Sequence, residues 1–128
     1  MSRESISTIG GLLCAGSLAL VVVYGNFSQA VEDPYPQFDE PNLVAGRSVW
    51  LDNCKVCHTA DFAGAPRVTD KAAWKPRIAQ GKDVLYQHAL NGRIGPTGTE
   101  MPPRGGNQQL SDEQVRAAVD YMVALVSQ

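Results

Sequence analysis

Residues 54–58, which read CKVCH, carry the clearest chemistry in this chain of 128 residues. In a helix, two cysteines three positions apart lie about one turn from each other, so both sulfurs can reach the two vinyl groups on one edge of a porphyrin. His58 follows directly, where its imidazole can reach the iron as the proximal ligand. The spacing therefore predicts one covalently bound haem c, with its iron, attached through Cys54 and Cys57.

Three other interpretations of CKVCH are weaker. Structural zinc takes four Cys or His ligands, and outside this motif the chain has only Cys14, within an apolar segment, and His88. A thioredoxin-like cysteine pair accompanies alternating strands and helices, and no run of residues here favours a strand. The third alternative is a chance occurrence, and covalent haem is preferred over all three.

The second axial ligand is predicted in the glycine-rich and proline-rich loop of residues 95–106. The glycines permit tight turns and the prolines after Met101 hold the chain extended, so this methionine is poorly placed for a helix core. A thioether sulfur opposite histidine also raises the potential of a haem. Met101 is therefore the predicted sixth ligand, and the alternative is a methionine that only packs on the haem.

Apolar spacing predicts a helix at each end of an all-α domain. Asn42 is a candidate N-cap for a helix that reaches about Asn53, with Gly46, Trp50 and Cys54 along one face. This face leads directly into the CKVCH motif.

A second helix closes the chain. Ser111 and Gln114 form a predicted capping box, and an apolar stripe follows at Val115, Ala118, Val119, Met122, Leu125 and Val126. A glycine at position 46 lets the two terminal helices cross closely, with Tyr121 or Trp50 packed at the crossing.

Two shorter helical segments are predicted between the terminal helices. Residues 70–74 form a helical turn interrupted by Pro76, and residues 82–91 form a helix that Gly92 ends. His88 shares an apolar face of this helix, so it is a rival sixth ligand. A partly buried, hydrogen-bonded histidine is the favoured interpretation.

Residues 1–30 predict a signal or transmembrane segment at a bacterial inner membrane. Residues 5–31 carry no charge, and a helix over residues 6–27 is about 33 Å long, enough for a hydrocarbon core of about 30 Å. Arg3 precedes the segment and acids follow it, which places the N-terminus in the cytoplasm and the haem domain in the periplasm. Cleavage after Ala30, where small residues occupy the required positions, is the alternative and gives a soluble periplasmic protein.

Residues 31–41, which read VEDPYPQFDEP, contain three prolines and four acids and show no helical period. Proline-rich chains are extended at about 3.1 Å per residue, so this stretch predicts a linker up to about 34 Å long. The haem domain is accordingly predicted over residues 42–128.

Five further stretches add to the CKVCH motif: GAP at 64–66, DKAAW at 70–74, IAQG at 78–81, MPPRGG at 101–106 and AVDYM at 118–122. With them, residues 42–127 resemble the class I c-type cytochromes, and most closely the bacterial cytochrome c5-like group. The resemblance implies crossed terminal helices around one haem, with His58 and Met101 as axial ligands. It also implies that the Pro66 carbonyl accepts the imidazole N–H of His58 and that Trp74 and Arg77 lie near the haem propionates. The chain departs from the pattern in lacking a further cysteine pair near the methionine and in the long loop before Met101.

These features predict an electron-transfer protein rather than an enzyme. No nucleophile with a matching base remains once the haem has its ligands, and two axial ligands leave no iron position for a small-molecule substrate. The protein is expected to pass single electrons between membrane or periplasmic redox proteins. One alternative is a fixed subunit of a membrane oxidoreductase or of a respiratory or photosynthetic complex, and a less favoured one is a redox or gas sensor with a displaceable Met101.

Charge is distributed unevenly along the chain. The whole sequence has a net charge of −2, whereas from Pro41 onward ten Lys and Arg face eight Asp and Glu. Five of these bases lie between Arg67 and Lys82, where they can steer an acidic redox partner; a solvated surface of mixed charge is an equal alternative. This balance gives no basis for nucleic-acid binding.

Overall fold

Helices make up most of the fold. The computed structural model describes residues 33–60 and 62–128. In chain order, the elements are α1 (Pro41–Val49), a π-helical turn (Trp50–Cys54), α2 (Lys55–Thr59), α3 (Lys71–Ile78), α4 (Lys82–Asn91), β1 (Arg93–Ile94), β2 (Glu100–Met101), a 3-10 turn (Pro103–Gly106) and α5 (Asp112–Val126). The predicted small helical architecture is confirmed for this part of the chain.

Gly46 lets α1 and α5 cross in backbone contact. A Cβ atom at this position would lie 2.0 Å from the carbonyl oxygen of Ala117, a distance that no side chain tolerates. Trp50 and Tyr121 are fully buried beside the crossing, and their ring centroids are 5.6 Å apart. The predicted close crossing, with these aromatic residues packed at it, is confirmed.

The capping box of α5 is also confirmed. Ser111 Oγ accepts from the backbone N–H of Gln114 at 3.2 Å, and Gln114 Oε1 accepts from the N–H of Ser111 at 2.8 Å. The reciprocal bonds satisfy two backbone donors at the helix start. Four residues of the predicted stripe are buried, namely Val115, Ala118, Met122 and Val126.

The predicted cap of α1 is wrong. The helix begins at Pro41 after Glu40, and proline suits the first helical position because its missing N–H would have no partner there. The side chain of Asn42 instead donates to Asp120 Oδ2 at 2.8 Å. Asn42 therefore ties α1 to α5 rather than capping its own helix.

Pro76 lies within α3 and does not interrupt it. The helix continues to Ile78, because a proline in the last turn removes only one backbone bond and little helix follows. Asp70 Oδ1 accepts from the N–H of Ala73 at 2.9 Å and caps the start. The prediction of a short turn over residues 70–74 is therefore corrected to a helix of eight residues.

The expectation of a domain without strands is also wrong. The predicted helix over residues 82–91 ends at Gly92 as expected, with φ +78°. Immediately afterwards β1 pairs antiparallel with β2, with Arg93 opposite Met101. The predicted loop around Met101 therefore begins as a small hairpin, which is closed by a bond from the N–H of Gly95 to the carbonyl of Thr99 at 2.7 Å.

The segment predicted as an extended linker packs on the helices where the structure describes it. Tyr35 meets Trp50 edge to face with ring centroids 4.5 Å apart, and the hydroxyl of Tyr121 donates to the carbonyl of Pro36 at 2.8 Å. Asp33 forms an ion pair with Arg47 at 2.6 Å. The prediction of an extended linker is therefore wrong for these residues. The compact unit that contains them runs from residue 33 to residue 128.

The predicted membrane segment (residues 6–27), Cys14 and the cleavage position after Ala30 lie outside the described residues. Within residues 33–60 and 62–128, no helix has the length and apolar character needed to cross a bilayer.

Candidate haem site

One cavity of about 470 Å³ brings together every residue that the sequence singled out for the site. Its walls include Cys54, Cys57, His58, Pro66, Trp74, Arg77 and Met101. The volume lies within the usual range for small-molecule and cofactor sites. The cavity is therefore large enough for a cofactor rather than a single ion.

A π-helical turn that ends at Cys54 leads into α2, which carries Cys57, and both cysteines line this cavity. The N–H of Lys55 bonds to the carbonyl of Trp50, five residues back, so one extra residue enters the turn before the motif. Both Cys54 and Cys57 are half-buried, and neither forms a disulfide within residues 33–60 and 62–128. Burial, with a smaller contribution from Cys57, raises the pKa of the Cys54 thiol to about 11.

The His58 imidazole is buried and held by one hydrogen bond. Its Nδ1 lies 2.9 Å from the carbonyl oxygen of Pro66, and a carbonyl only accepts, so Nδ1 carries the proton. Burial lowers the pKa of His58, and the positive charge of Arg77 lowers it further, against the opposing effect of the Pro66 bond. The neutral ring therefore keeps its lone pair on Nε2, the form that binds a metal.

Trp74 and Arg77 line the cavity from α3. The Trp74 ring centroid is 6.0 Å from that of His58, and its indole N–H donates to the carbonyl of Arg67 at 2.9 Å. Trp74 therefore offers the cavity an apolar ring, while its polar atom is already bonded. The half-buried Arg77 donates to the carbonyl of Ala73 and places a cation at the wall.

Met101 reaches the cavity from the end of β2. Gly92 approaches it so closely that a Cβ there would lie 2.8 Å from the Met101 carbonyl oxygen. The positive φ of Gly92 and this contact both exclude larger side chains. The end of α4 is thus packed directly against the methionine segment.

His88 also lines the cavity, half-buried. Its Nδ1 accepts from Arg93 Nη1 at 3.2 Å, and burial together with the Arg93 charge lowers the pKa of His88. The predicted hydrogen-bonded histidine is confirmed. Sequence reasoning missed Arg93, because nothing in its spacing distinguishes it from a surface base.

The residues present suit a haem. Two unpaired thiols one helical turn apart, a neutral imidazole and a thioether sulfur converge on a single cavity. Histidine and methionine are a known axial pair for haem iron, and paired cysteines followed by histidine provide covalent attachment. This arrangement defines a haem-binding protein of the covalent type.

Comparison with known proteins identifies the family. A family model described as "Cytochrome C oxidase, cbb3-type, subunit III" matches residues 41–122. Cytochrome c-555 of Chlorobaculum tepidum is 48% identical over 82 residues, which cover 64% of this chain and 75% of that protein. Cytochrome c5 of Ectopseudomonas mendocina is 36% identical over 75 residues, which cover 57% of this chain and 80% of that protein. The chain belongs to the class I c-type cytochromes.

A solved structure supports the same conclusion. A chain in the crystal structure of an electron-transfer complex of nitrite reductase with cytochrome c matches with a TM-score of 0.57 and 40% identity, covering 68% of this chain and 96% of that one. The fold is therefore a small cytochrome c fold, and its cofactor is covalent haem c. The chain is an electron-transfer protein of this class.

Proposed function

We propose that this protein carries single electrons through a haem c whose iron is ligated by His58 and Met101. The observation that carries the proposal is the placement of both side chains on the cavity that also receives Cys54 and Cys57. The haem, when bound, supplies an iron that changes charge by one electron. Pro66 orients the imidazole and makes it more basic, and the Met101 thioether favours the reduced iron.

Arg77 is assigned in this proposal to the carboxylate edge of the haem. It is half-buried and lines the cavity beside the Trp74 ring. A half-buried cation stabilises a nearby carboxylate more than an exposed one does, because the local dielectric is lower than in water. The ring of Trp74 shields the cavity wall beside Arg77 from water.

Replacing Met101 with alanine is expected to remove the sixth ligand. The ferric holoprotein should show a weak near-infrared absorption from sulfur-to-iron charge transfer, and Met101→Ala should abolish it. The reduction potential should also fall by about 0.1 V or more, because axial ligands control haem potentials over a wide range. Absorption spectroscopy and a redox titration measure the two effects.

The matched control is His88→Ala, which removes the rival ligand on the same cavity. It is expected to leave the near-infrared band in place and to shift the potential far less, since His88 Nδ1 is engaged by Arg93. If His88→Ala removes the sixth ligand and Met101→Ala does not, the protein is a bis-histidine cytochrome.

We further propose that basic side chains between Arg67 and Lys82, Arg67 included, steer an acidic redox partner. Lys82 is paired with Asp120 at 2.6 Å, and Lys71 donates to the carbonyl of Gln128. Arg67 and Lys75 are exposed without such a partner in the described part of the chain. The rate of electron exchange with an acidic partner should therefore fall as ionic strength rises. Arg67→Glu should weaken this dependence on ionic strength. If the dependence is the same in the variant and the wild type, Arg67 does not steer the partner.

We also propose that residues 6–27 retain the protein at the inner membrane, with the haem domain in the periplasm. Their uncharged sequence and the acids that follow support this. Most haem should then sediment with membranes and need detergent for release. An intact mass that begins at Val31 would instead identify a cleaved, soluble shuttle.

A second candidate function is a fixed cytochrome subunit of a membrane oxidoreductase. The matching family model, which is described as an oxidase subunit, favours it. After mild detergent extraction, a subunit would co-migrate with a catalytic partner in stable proportion. A free carrier would migrate alone.

A further inference from the structure

A hydrogen bond between two asparagine amides joins the two ends of the haem site. Asn107 Nδ2 donates to Asn53 Oδ1 at 2.9 Å, although the residues are 54 positions apart in the sequence. Asn53 belongs to the π-helical turn and directly precedes Cys54. Asn107 ends the 3-10 turn that follows Met101. The bond therefore links the segment of the cysteines to the segment of the methionine.

Backbone groups fix the orientation of both amides. Asn53 Nδ2 donates to the carbonyl of Val49 at 3.0 Å, and Asn107 Oδ1 accepts from the N–H of Gln109 at 3.1 Å. A carbonyl cannot donate and an N–H cannot accept, so neither amide can be reversed. The amide nitrogen Nδ2 of Asn107 and the amide oxygen Oδ1 of Asn53 therefore face each other. Both side chains are half-buried.

The chain between Met101 and Asn107 is short, and prolines and side-chain hydrogen bonds restrain it on either side of Gly105 and Gly106. Its two prolines have fixed φ angles, and the turn that begins at Pro103 follows at once, with left-handed backbone at Arg104 and Gly105. Arg104 has φ +54° and is held there by bonds to the carbonyl of Leu110 at 2.7 Å and to Asp112 Oδ1 at 2.6 Å. We therefore expect a displacement of Met101 to shift Asn107 as well.

The same turn also packs against Asn53 through its backbone. Gly105 has φ +63°, and a Cβ there would lie 3.4 Å from the Asn53 carbonyl oxygen. This is an ordinary van der Waals distance, so the turn lies directly beside the segment that precedes Cys54. The amide pair adds a hydrogen bond to this contact and so fixes the distance between the two segments.

We propose that the Asn53–Asn107 pair is a positioning device that keeps Met101 at the iron. The proposal rests on the proposed ligation by Met101 and adds a residue pair that acts through it. When Met101 is displaced, its segment moves and the pair loses its geometry. A hydrogen bond of ordinary net strength changes such an equilibrium about fivefold.

The test is a titration of the ferric holoprotein with imidazole, which competes with Met101 for the iron. Asn107→Asp keeps the acceptor for the Gln109 N–H, removes the donor to Asn53 and adds a negative charge. The Kd for imidazole should fall about fivefold in this variant, while the near-infrared band persists before imidazole is added. The matched control is Asn91→Asp, which adds the same charge and breaks an exposed amide hydrogen bond to Gln87 within one helix. Its Kd for imidazole should equal that of the wild type.

Asn53→Ala tests the pair from its other side and decides the question if Asn107→Asp does not retain haem. Each single alanine variant already loses the Asn53–Asn107 hydrogen bond. The double variant Asn53→Ala/Asn107→Ala should therefore bind imidazole no more tightly than whichever single variant binds it more tightly. If these variants lower resistance to denaturant but leave the imidazole Kd unchanged, the pair is merely structural and the proposal is overturned. If the wild type lacks the near-infrared band, ligation by Met101 itself is wrong.

Discussion

Replacing Cys57 with alanine is expected to leave at most one covalent linkage to the haem and to reduce the yield of holoprotein sharply. Cys54 and Cys57 both line the cavity, and both are free thiols in the part of the chain that the structure describes. In the wild type, extraction with acid and acetone should therefore leave the haem on the polypeptide. In Cys54→Ala/Cys57→Ala no thioether is available, and any haem that binds should be extracted.

The third cysteine of the chain provides the control. Cys14 lies outside the CKVCH motif, so Cys14→Ser should give the same amount of covalent haem as the wild type. Haem yield, measured on denaturing gels by haem peroxidase staining, distinguishes these variants. Free haem released from the wild type would contradict attachment through Cys54 and Cys57.

Replacing Gly46 with alanine is expected to destabilise the fold severely. Helix propensity alone favours alanine over glycine by about 1 kcal/mol, so an isolated α1 would gain stability. In the protein, however, the new Cβ would lie 2.0 Å from the Ala117 carbonyl oxygen, and a backbone atom of a packed helix cannot move aside. Forced separation of the helices should cost about 3 kcal/mol, which outweighs the gain in propensity.

Chemical denaturation of the holoprotein measures this loss as a lower free energy of unfolding. Ser48→Ala is the control, because Ser48 is exposed on the same helix and its replacement should change the free energy by less than about 0.5 kcal/mol. A Gly46→Ala variant as stable as the wild type would show that the helices do not depend on this close approach.

Local patterns in the sequence predicted the parts of the fold that local interactions determine. The capping box at Ser111 requires only residues three apart, and the end of α4 requires only a glycine that accepts positive φ at position 92. The motif at residues 54–58 is also local, because its two cysteines and its histidine together predict covalent attachment of a haem. Gly46 was predictable because its spacing to Trp50 placed it on the face that leads to the cysteines.

The features that sequence reasoning missed depend on residues far apart in the chain. Asn42 is a residue type that often caps helices, but its hydrogen-bond partner is Asp120, 78 positions away. The segment from Asp33 resembles a linker because its prolines and acids have no helical period, yet Tyr35 packs on Trp50. The Asn53–Asn107 bond likewise has no local signal. The positions of these groups follow from the tertiary fold alone.

An iron held by two protein ligands has no position left for a substrate and can only exchange electrons. This closed coordination is tested most directly by a spectroelectrochemical titration of the holoprotein at neutral pH, once under argon and once under carbon monoxide. Carbon monoxide binds only ferrous haem with an accessible position, and such binding would raise the midpoint potential by linkage. We predict one reversible one-electron transition with the same midpoint under both gases. A higher midpoint under carbon monoxide would show that the sixth position opens to ligands, as in a gas sensor, and would contradict a cytochrome closed by His58 and Met101.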